Sequence, residues 1–256
     1  LRALPNKTSQ LFEKIKVLKP IENFVLVGGT ALALRLQHRY SEDLDFMTTG
    51  KLNRPAINEI LGALRRRGST IKQIRDFEAA LEFEGGGNPD DYSLRFRVDD
   101  VKLDFFSKQI RRGGKQYDVA AKISEAPVPE VDTGHIRVVT EDCVFSLKAQ
   151  VLDERTTVRD FFDLRVMLSR NNRTIRDLFR EAVDLGLSPD HLTMKVLRAR
   201  QRADDPPVNP VADAYPDVPI EFEALKQWLV EQINEFERWQ AEQVARGKGA
   251  EEFGET

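Results

Sequence analysis

Three aspartates and a pair of glycines are the residues of this 256-residue chain best placed to do chemistry. Asp43-Leu44-Asp45-Phe46-Met47 alternates polar and apolar, which in a strand sends both carboxylates to one face and Leu44 and Phe46 to the core behind them. Asp104 lies in a second such stretch, Val101 to Phe106, opposite in parity to Leu103 and Phe105. Gly28-Gly29 closes the apolar run Phe24-Val25-Leu26-Val27 and is followed by Thr30. Moving a nucleotide requires that a triphosphate be held, its charge neutralised and a hydroxyl aimed at the α-phosphorus. Backbone N–H groups at a glycine turn that opens a helix can hold the phosphates. Gly28 and Gly29 would let them approach and Thr30 would add a hydroxyl. Carboxylates bind Mg2+, commonly as two ions about 4 Å apart. Asp43 and Asp45 are expected to share that ligation. Asp104 would complete the metal site and take the proton from the attacking hydroxyl.

Taken singly, these signals are weak, because a Gly-Gly turn is common and most Asp-x-Asp strands carry surface acids. The plain alternative makes Asp43 a solvated turn acid and Asp104 an edge-strand charge. The ordered set says more: apolar strand, Gly-Gly-Thr, apolar helix, Asp-Leu-Asp strand, then Leu-Asp-Phe strand. Asp104 sits amid Leu103, Phe105 and Phe106, where an unpaired carboxylate is costly and a metal would relieve the cost.

The elements that must position these residues follow from periodicity. Residues 8–18 read as a helix with Leu11, Ile15 and Leu18 on one stripe, ended by Pro20. Thr30 is expected to cap a helix carrying Ala31, Leu32, Leu34 and Leu36 and ending near His38-Arg39. A helix over 55–67 stops at Gly68, and strands are expected at 71–74, 80–84, 93–98, 101–106 and 136–139, with a turn at Gly85 to Pro89. From Thr140 the texture becomes helical, with starts at Thr140, Thr157, Thr174 and Ser188-Pro189. Residues 204–219 read as a proline-rich loop, Phe222 to Val244 as a long helix with Trp228 and Trp239 on one face, and the tail beyond Gly247 as frayed. The chain is therefore expected to be α+β, a mixed-sheet domain over 1–139 followed by a helical domain over 140–256.

Composition excludes little. A net charge of −3 does not advertise nucleic-acid binding, yet basic residues bunch at Arg65-Arg66-Arg67, at Arg95 and Arg97, at Arg111-Arg112 with Lys115, and at Arg198, Arg200 and Arg202. Each bunch has a solvated-face alternative. The single cysteine, Cys143, forbids an internal disulfide and reads as a small buried residue in a reducing cytoplasm; no Cys/His cluster offers a zinc site. No run of about 18 apolar residues predicts a membrane span.

The stretch Leu26-Val27-Gly28-Gly29-Thr30-Ala31-Leu32-Ala33-Leu34, with His38-Arg39-Tyr40-Ser41-Glu42-Asp43-Leu44-Asp45-Phe46, resembles the first motif of the AbiEii/AbiGii toxin family. These are polymerase-β-like nucleotidyltransferases of bacterial toxin–antitoxin and phage-defence systems. Ser146-Leu147-Lys148 and Arg155-Thr156-Thr157-Val158-Arg159-Asp160-Phe161-Phe162-Asp163-Leu164 are similar to the family's downstream Lys and Arg…Lys-Asp-x-x-Asp motif. Arg159 stands where many members carry lysine, and the two cations are not interchangeable. The match spans roughly residues 22–170.

The resemblance implies a polymerase-β-like catalytic domain and a helical domain that completes the nucleotide and acceptor site. It implies that Lys148 faces the triphosphate and that Asp160 and Asp163 lie near it. Each has an alternative: an exposed helix lysine, a capping box at Thr157 to Asp160, and an Arg159–Asp163 pair. Arg39 is the better candidate than His38 for lining the pocket, since guanidinium matches phosphate. The implied activity is transfer of NMP from an NTP to an acceptor hydroxyl, with the 3′ end of tRNA as acceptor and a cognate antitoxin as restraint. Competing readings are the same chemistry on a protein or small molecule, and an inactive relative that only binds.

Overall fold

The computed structural model describes residues 1–74, 88–107, 110–112, 115–117, 123–170 and 172–246. The expected strand at 80–84, most of the turn after it, and the tail beyond Gly247 lie outside them. Leu1–Val144 and Phe145–Thr256 form two compact units.

The first unit is built on a mixed sheet. Its strands are β1 (Val25–Val27), β2 (Leu44–Thr48), β3 (Ile71–Ile74), β4 (Ser93–Val98), β5 (Val101–Ser107) and β8 (Arg137–Val138), in spatial order β3-β4-β5-β2-β1-β8. β6 (Ile110–Arg112) and β7 (Lys115–Tyr117) pair separately as an antiparallel ribbon. β2 and β5 run parallel, as do β1 and β8; the other pairs in the large sheet are antiparallel.

Among the described residues this unit also carries the α-helices α1 (Asn6–Lys16), α2 (Gly28–Leu36) and α3 (Arg54–Arg66). α1 buries Leu11, Phe12 and Ile15, and touches both β5 and α3. α3 is capped by Asn53, whose side chain accepts from the Ala56 N–H, and carries Pro55 in its first turn. It buries Ile57, Ile60, Leu61 and Leu64 at helical spacing. β4 and β5 are joined by a two-residue turn in which Asp99 and Asp100 both take left-handed backbone, φ 49° and 71°. That conformation matches the twist of a tight hairpin, and aspartate tolerates it better than most residues. Asp99 accepts from the Thr70 N–H at 2.8 Å and from Lys14 at 2.9 Å, which holds the turn and with it the register of β5.

The division between the units falls within α4 (Glu141–Glu154), where Thr140 Oγ1 accepts from the Cys143 N–H at 3.2 Å as the expected cap. Cys143 is buried. The second unit continues with α5 (Val158–Leu168), α6 (Ile175–Asp184), α7 (Pro189–Arg198) and α8 (Phe222–Ala245). Thr157 and Ser188 cap their helices through side-chain oxygens, as their positions before apolar-periodic runs predict. α8 buries Phe222, Leu225, Leu229, Ile233 and Phe236 along one stripe. Phe222 stacks on Phe161 of α5 and Phe236 meets Phe179 of α6 edge-on. The architecture is α+β, with helices following a mixed sheet. Among the described residues no helix is long and apolar enough to cross a membrane.

Candidate active site

The parallel pairing of β2 with β5 sets Asp45 directly opposite Asp104. Neighbours in register on adjacent strands point to the same face. The flanking pairs, Leu44 with Leu103 and Phe46 with Phe105, point to the other face and are fully buried. The Phe46 and Phe105 rings stack at 5.7 Å, and Phe24 meets Phe105 edge-on at 4.9 Å. The carboxylate pair is thus held from behind by a packed aromatic layer, whose dispersion and burial fix the two strands against each other.

The glycine turn lies against this pair. β1 pairs with β2 so that Val27 faces Asp45, and Gly28 follows at once with φ of +70°, a backbone that favours glycine. A Cβ at Gly28 would stand 3.1 Å from Asp45 Oδ2. Helix α2 therefore starts at Gly28, with Val27 as the capping position, and not at Thr30 as the cap signal suggested. The left-handed glycine turns the chain straight from strand into helix, which leaves no loop for Thr30 to close. Thr30 lies in the first turn of α2 with 1% exposure, its hydroxyl bonded to Ser41 Oγ at 2.8 Å and to the Asp43 carbonyl. That hydroxyl ties the glycine turn to the acidic strand.

Gly29 has a different use. A Cβ there would meet an Arg39 guanidinium nitrogen at 2.7 Å and Ser41 Oγ at 3.3 Å. The missing side chain makes room for Arg39, which is buried at 4% exposure and donates to the Tyr40 carbonyl at 3.1 Å. His38 is fully buried beside it in sequence, consistent with a structural role. A guanidinium packed against a helix N-terminus sets like charges together, which an anion between them relieves.

Asp104 is buried, and Lys102 Nζ at 3.0 Å and Arg95 Nε at 3.5 Å approach its Oδ2. Both cations come from geometry the strands dictate. Lys102 is two residues back on β5, and Arg95 is the register partner of Asp104 on β4. Burial pushes the Asp104 carboxyl above the ordinary aspartate range; Lys102 and Arg95 oppose that, and the charge of Asp43 adds to it. Its other oxygen, Oδ1, is buried without a hydrogen-bond partner. Parity alone could have marked Lys102, but Arg95 required the strand register.

These residues can be tested against a divalent ion. Carboxylate oxygens are the hard donors that Mg2+ prefers, and the orphaned Asp104 Oδ1 opposite Asp45 is an atom an ion would satisfy. Among the described residues, however, no group of three or more Asp, Glu, His or Cys side chains is drawn together as a metal-holding cluster. Asp45 and Asp104 are aligned and the charge of Asp43 is felt at Asp104, while Asp104 Oδ2 is engaged by two cations.

Lys148, Asp160 and Asp163 meet within the helical unit. Lys148 Nζ lies 2.8 Å from Asp160 Oδ1 and 2.6 Å from Asp163 Oδ2, with all three residues buried. Asp160 also accepts from Thr157 Oγ1 at 2.7 Å and from Arg155 Nε at 3.1 Å. Burial works against its ionisation, but Lys148, Arg155 and Thr157 together outweigh that and hold its carboxyl below the usual range. Thr157 Oγ1 in turn accepts from the Asp160 N–H, so the capping geometry and the ion cluster coexist. Lys148 is not an exposed helix lysine, and Arg159 Nε donates to the Pro207 carbonyl at 3.1 Å.

Two outcomes follow for the sheet site. Gly28→Ala should cost about 1–2 kcal/mol in a denaturant titration, since alanine is strained at that φ; activity should fall further than stability, because the new Cβ presses on Asp45. The folded pKa of Asp104 lies above the unfolded value, so its ionisation is disfavoured by folding and the penalty appears as pH rises through the folded value. Asp104→Asn should therefore melt higher than the parent at neutral pH without added metal, and the gap should close in acid.

An uncharacterized protein of Aquifex aeolicus (strain VF5), aq_aa25, is 23% identical over 178 residues, 70% of this chain and 73% of that protein. MenT4, a nucleotidyltransferase toxin of Mycobacterium tuberculosis, superposes with a TM-score of 0.51 at 16% identity, covering 91% of this chain and 87% of its own. ANT(2″)-Ia, solved with adenylyl-2″-tobramycin, gives a TM-score of 0.43 at 14% identity over 70% of this chain and 98% of its own. The sequence profile described as "Nucleotidyl transferase AbiEii toxin, Type IV TA system" matches residues 11–242. Since that match runs through both compact units, the chain belongs to the AbiEii nucleotidyltransferase toxin family and is a nucleotidyltransferase.

Proposed function

We propose that this enzyme moves a nucleoside monophosphate from an NTP to the 3′-terminal hydroxyl of an RNA, in Mg2+-dependent fashion and with release of pyrophosphate. The observation that carries the reading is the register alignment of Asp45 with Asp104 beneath the Gly28 turn. In this reading the first turn of α2, at Gly28 and Gly29, cradles the triphosphate, and the Arg39 guanidinium supplies a cation at the same helix end. Asp45 and Asp104, with Asp43, hold the ion. Bound there, Mg2+ neutralises phosphate charge and acidifies the acceptor hydroxyl. Asp104, whose carboxyl is raised above the ordinary range, takes the hydroxyl proton. Thr30 acts only through position, keeping Asp43 and the glycine turn in fixed relation.

The family resemblance supports a role for Lys148 toward the triphosphate, with Asp160 and Asp163 holding its ammonium in place. The acceptor is the 3′ end of tRNA. Capping that end blocks aminoacylation in the cytoplasm, which makes the enzyme a toxin of a toxin–antitoxin or phage-defence pair. Kinship supports this acceptor.

The test is incubation of the protein with total RNA, magnesium and each labelled NTP in turn, with aminoglycoside and bulk protein as alternative acceptors. The expected result is label at an RNA 3′ end with a strong preference for one NTP and none after Mg2+ removal. Label confined to protein or to the small molecule would move the acceptor class, and no label on anything would contradict the reading.

A further inference from the structure

The helical unit contains a pocket of about 360 Å³ that the chemistry above does not use. It lies between the end of α4 and the C-terminal half of α7, with Arg155, Lys195, Arg198 and Arg200 on its walls. Four cations face two carboxylates there, and both carboxylates already have partners. Asp153 Oδ1 is 2.6 Å from His191 Nε2 and 3.8 Å from Lys195 Nζ, and Glu154 accepts from Gln150 Nε2 at 2.9 Å. Among the described residues no acidic side chain pairs with Arg198 or Arg200. Cations in the last turn of a helix are explained by the helix dipole, which accounts for Lys195 and Arg198. It does not account for Arg155, which lies beyond α4, or for Arg200, two residues past the end of α7.

Arg155 has a particular geometry. Its Nε is bonded to the buried Asp160 carboxylate, yet its side chain is 63% exposed. The guanidinium is anchored from inside and presented outside, which reduces the ordering needed to bind an anion. Apolar surface accompanies the charge. Met194 lines the pocket at 40% exposure, and Leu197, one turn along α7, is 44% exposed. Cations spaced along a helix beside exposed apolar side chains suit a ligand with repeated phosphates and base faces. A single phosphate would need only a point of charge.

We infer that this pocket binds a single-stranded RNA segment through its phosphodiesters, gripping the acceptor strand at a place other than the reacting end. The inference rests on the RNA-acceptor reading given above. Arg155, Lys195, Arg198 and Arg200 hold the backbone, and Met194 lies under a base.

The experiment uses the full chain and an Arg198→Ala/Arg200→Ala double variant, both exposed positions outside the carboxylate and glycine site. Fluorescence anisotropy follows a labelled single-stranded oligoribonucleotide over a salt series, and calorimetry follows NTP binding in parallel. The variant should bind RNA at least roughly tenfold more weakly, with a salt slope shallower by about 1.4, the value for two phosphate contacts on a single strand. Its NTP affinity should be unchanged. Equal RNA affinity and slope in parent and variant would overturn the inference, as would a loss of NTP affinity with RNA binding intact. Failure of the acceptor reading shows separately: the parent would then put no label on RNA in the transfer assay, whatever the binding arm reports.

Discussion

Asp45→Asn reduces nucleotidyl transfer by roughly a thousandfold or more, the loss expected when several kcal/mol of charge stabilisation at the reacting phosphate is removed. Asparagine keeps the size and one carbonyl oxygen of the side chain but is neutral, so it presents no anionic oxygen beside Asp104. The strand itself does not depend on the charge. Leu44 and Phe46 hold β2 from the buried face, and the backbone pairing of Val27 with residue 45 is untouched. Circular dichroism and the melting midpoint should therefore match the parent within a few tenths of a kcal/mol, as for a change without core consequences. The two readouts must separate. Loss of transfer with loss of fold would make Asp45 a structural acid, and full activity in a folded variant would remove it from the site.

Lys148→Met has the opposite signature, a large loss of stability. Lys148 bridges Asp160 and Asp163 where none of the three reaches solvent appreciably. Deleting one partner of a buried ion pair costs about 3–5 kcal/mol, because the remaining charge stays desolvated. Asp160 keeps Arg155 and Thr157 after the change, so the larger part of the penalty falls on Asp163. Urea unfolding should show this loss, and Lys148→Met/Asp163→Asn should recover part of it by neutralising the stranded carboxylate. The cluster also sets an acid limit. Asp160 has a folded pKa below the unfolded one, so its contribution is fully present above the unfolded value and fades as pH falls through the folded value. The parent should lose stability over that acid window more steeply than an Asp160→Asn variant. A mild effect of Lys148→Met, under about 1 kcal/mol, would mean that the cluster relaxes to solvent easily.

How much of this was written in the sequence depends on the range of the interaction. Strand parity was enough to expect β2 around Asp45, although the strand begins at Leu44 and leaves Asp43 just ahead of it, and the apolar pattern around Asp104 predicted that Leu103 and Phe105 would be core. The helix starts at Thr140, Thr157 and Ser188 were legible because capping is a contact across three residues. Three things were not. Neither parity nor propensity says that β5 lies beside β2, and only that pairing brings Asp104 to Asp45. A capping residue at Thr30 points to a helix start there, whereas the left-handed Gly28 lets α2 follow β1 directly. Asp163 has a local candidate partner in Arg159 at helical spacing, and that spacing says nothing of its contact with Lys148, fifteen positions earlier in the chain. Local pattern cannot choose between a surface pair at helical spacing and a buried cation delivered by another helix.

On the proposed function, the glycine turn and the Asp45–Asp104 pair together receive a metal-bound triphosphate. A crystal structure with Mn2+ and a non-hydrolysable NTP tests it most directly, since manganese is located by its anomalous signal. Metal density is expected between Asp45 and Asp104, with phosphate oxygens against the backbone of Gly28 and Gly29 and Lys102 drawn away from Asp104 Oδ2. Triphosphate bound elsewhere, with Lys102 still seated on that oxygen, would contradict it.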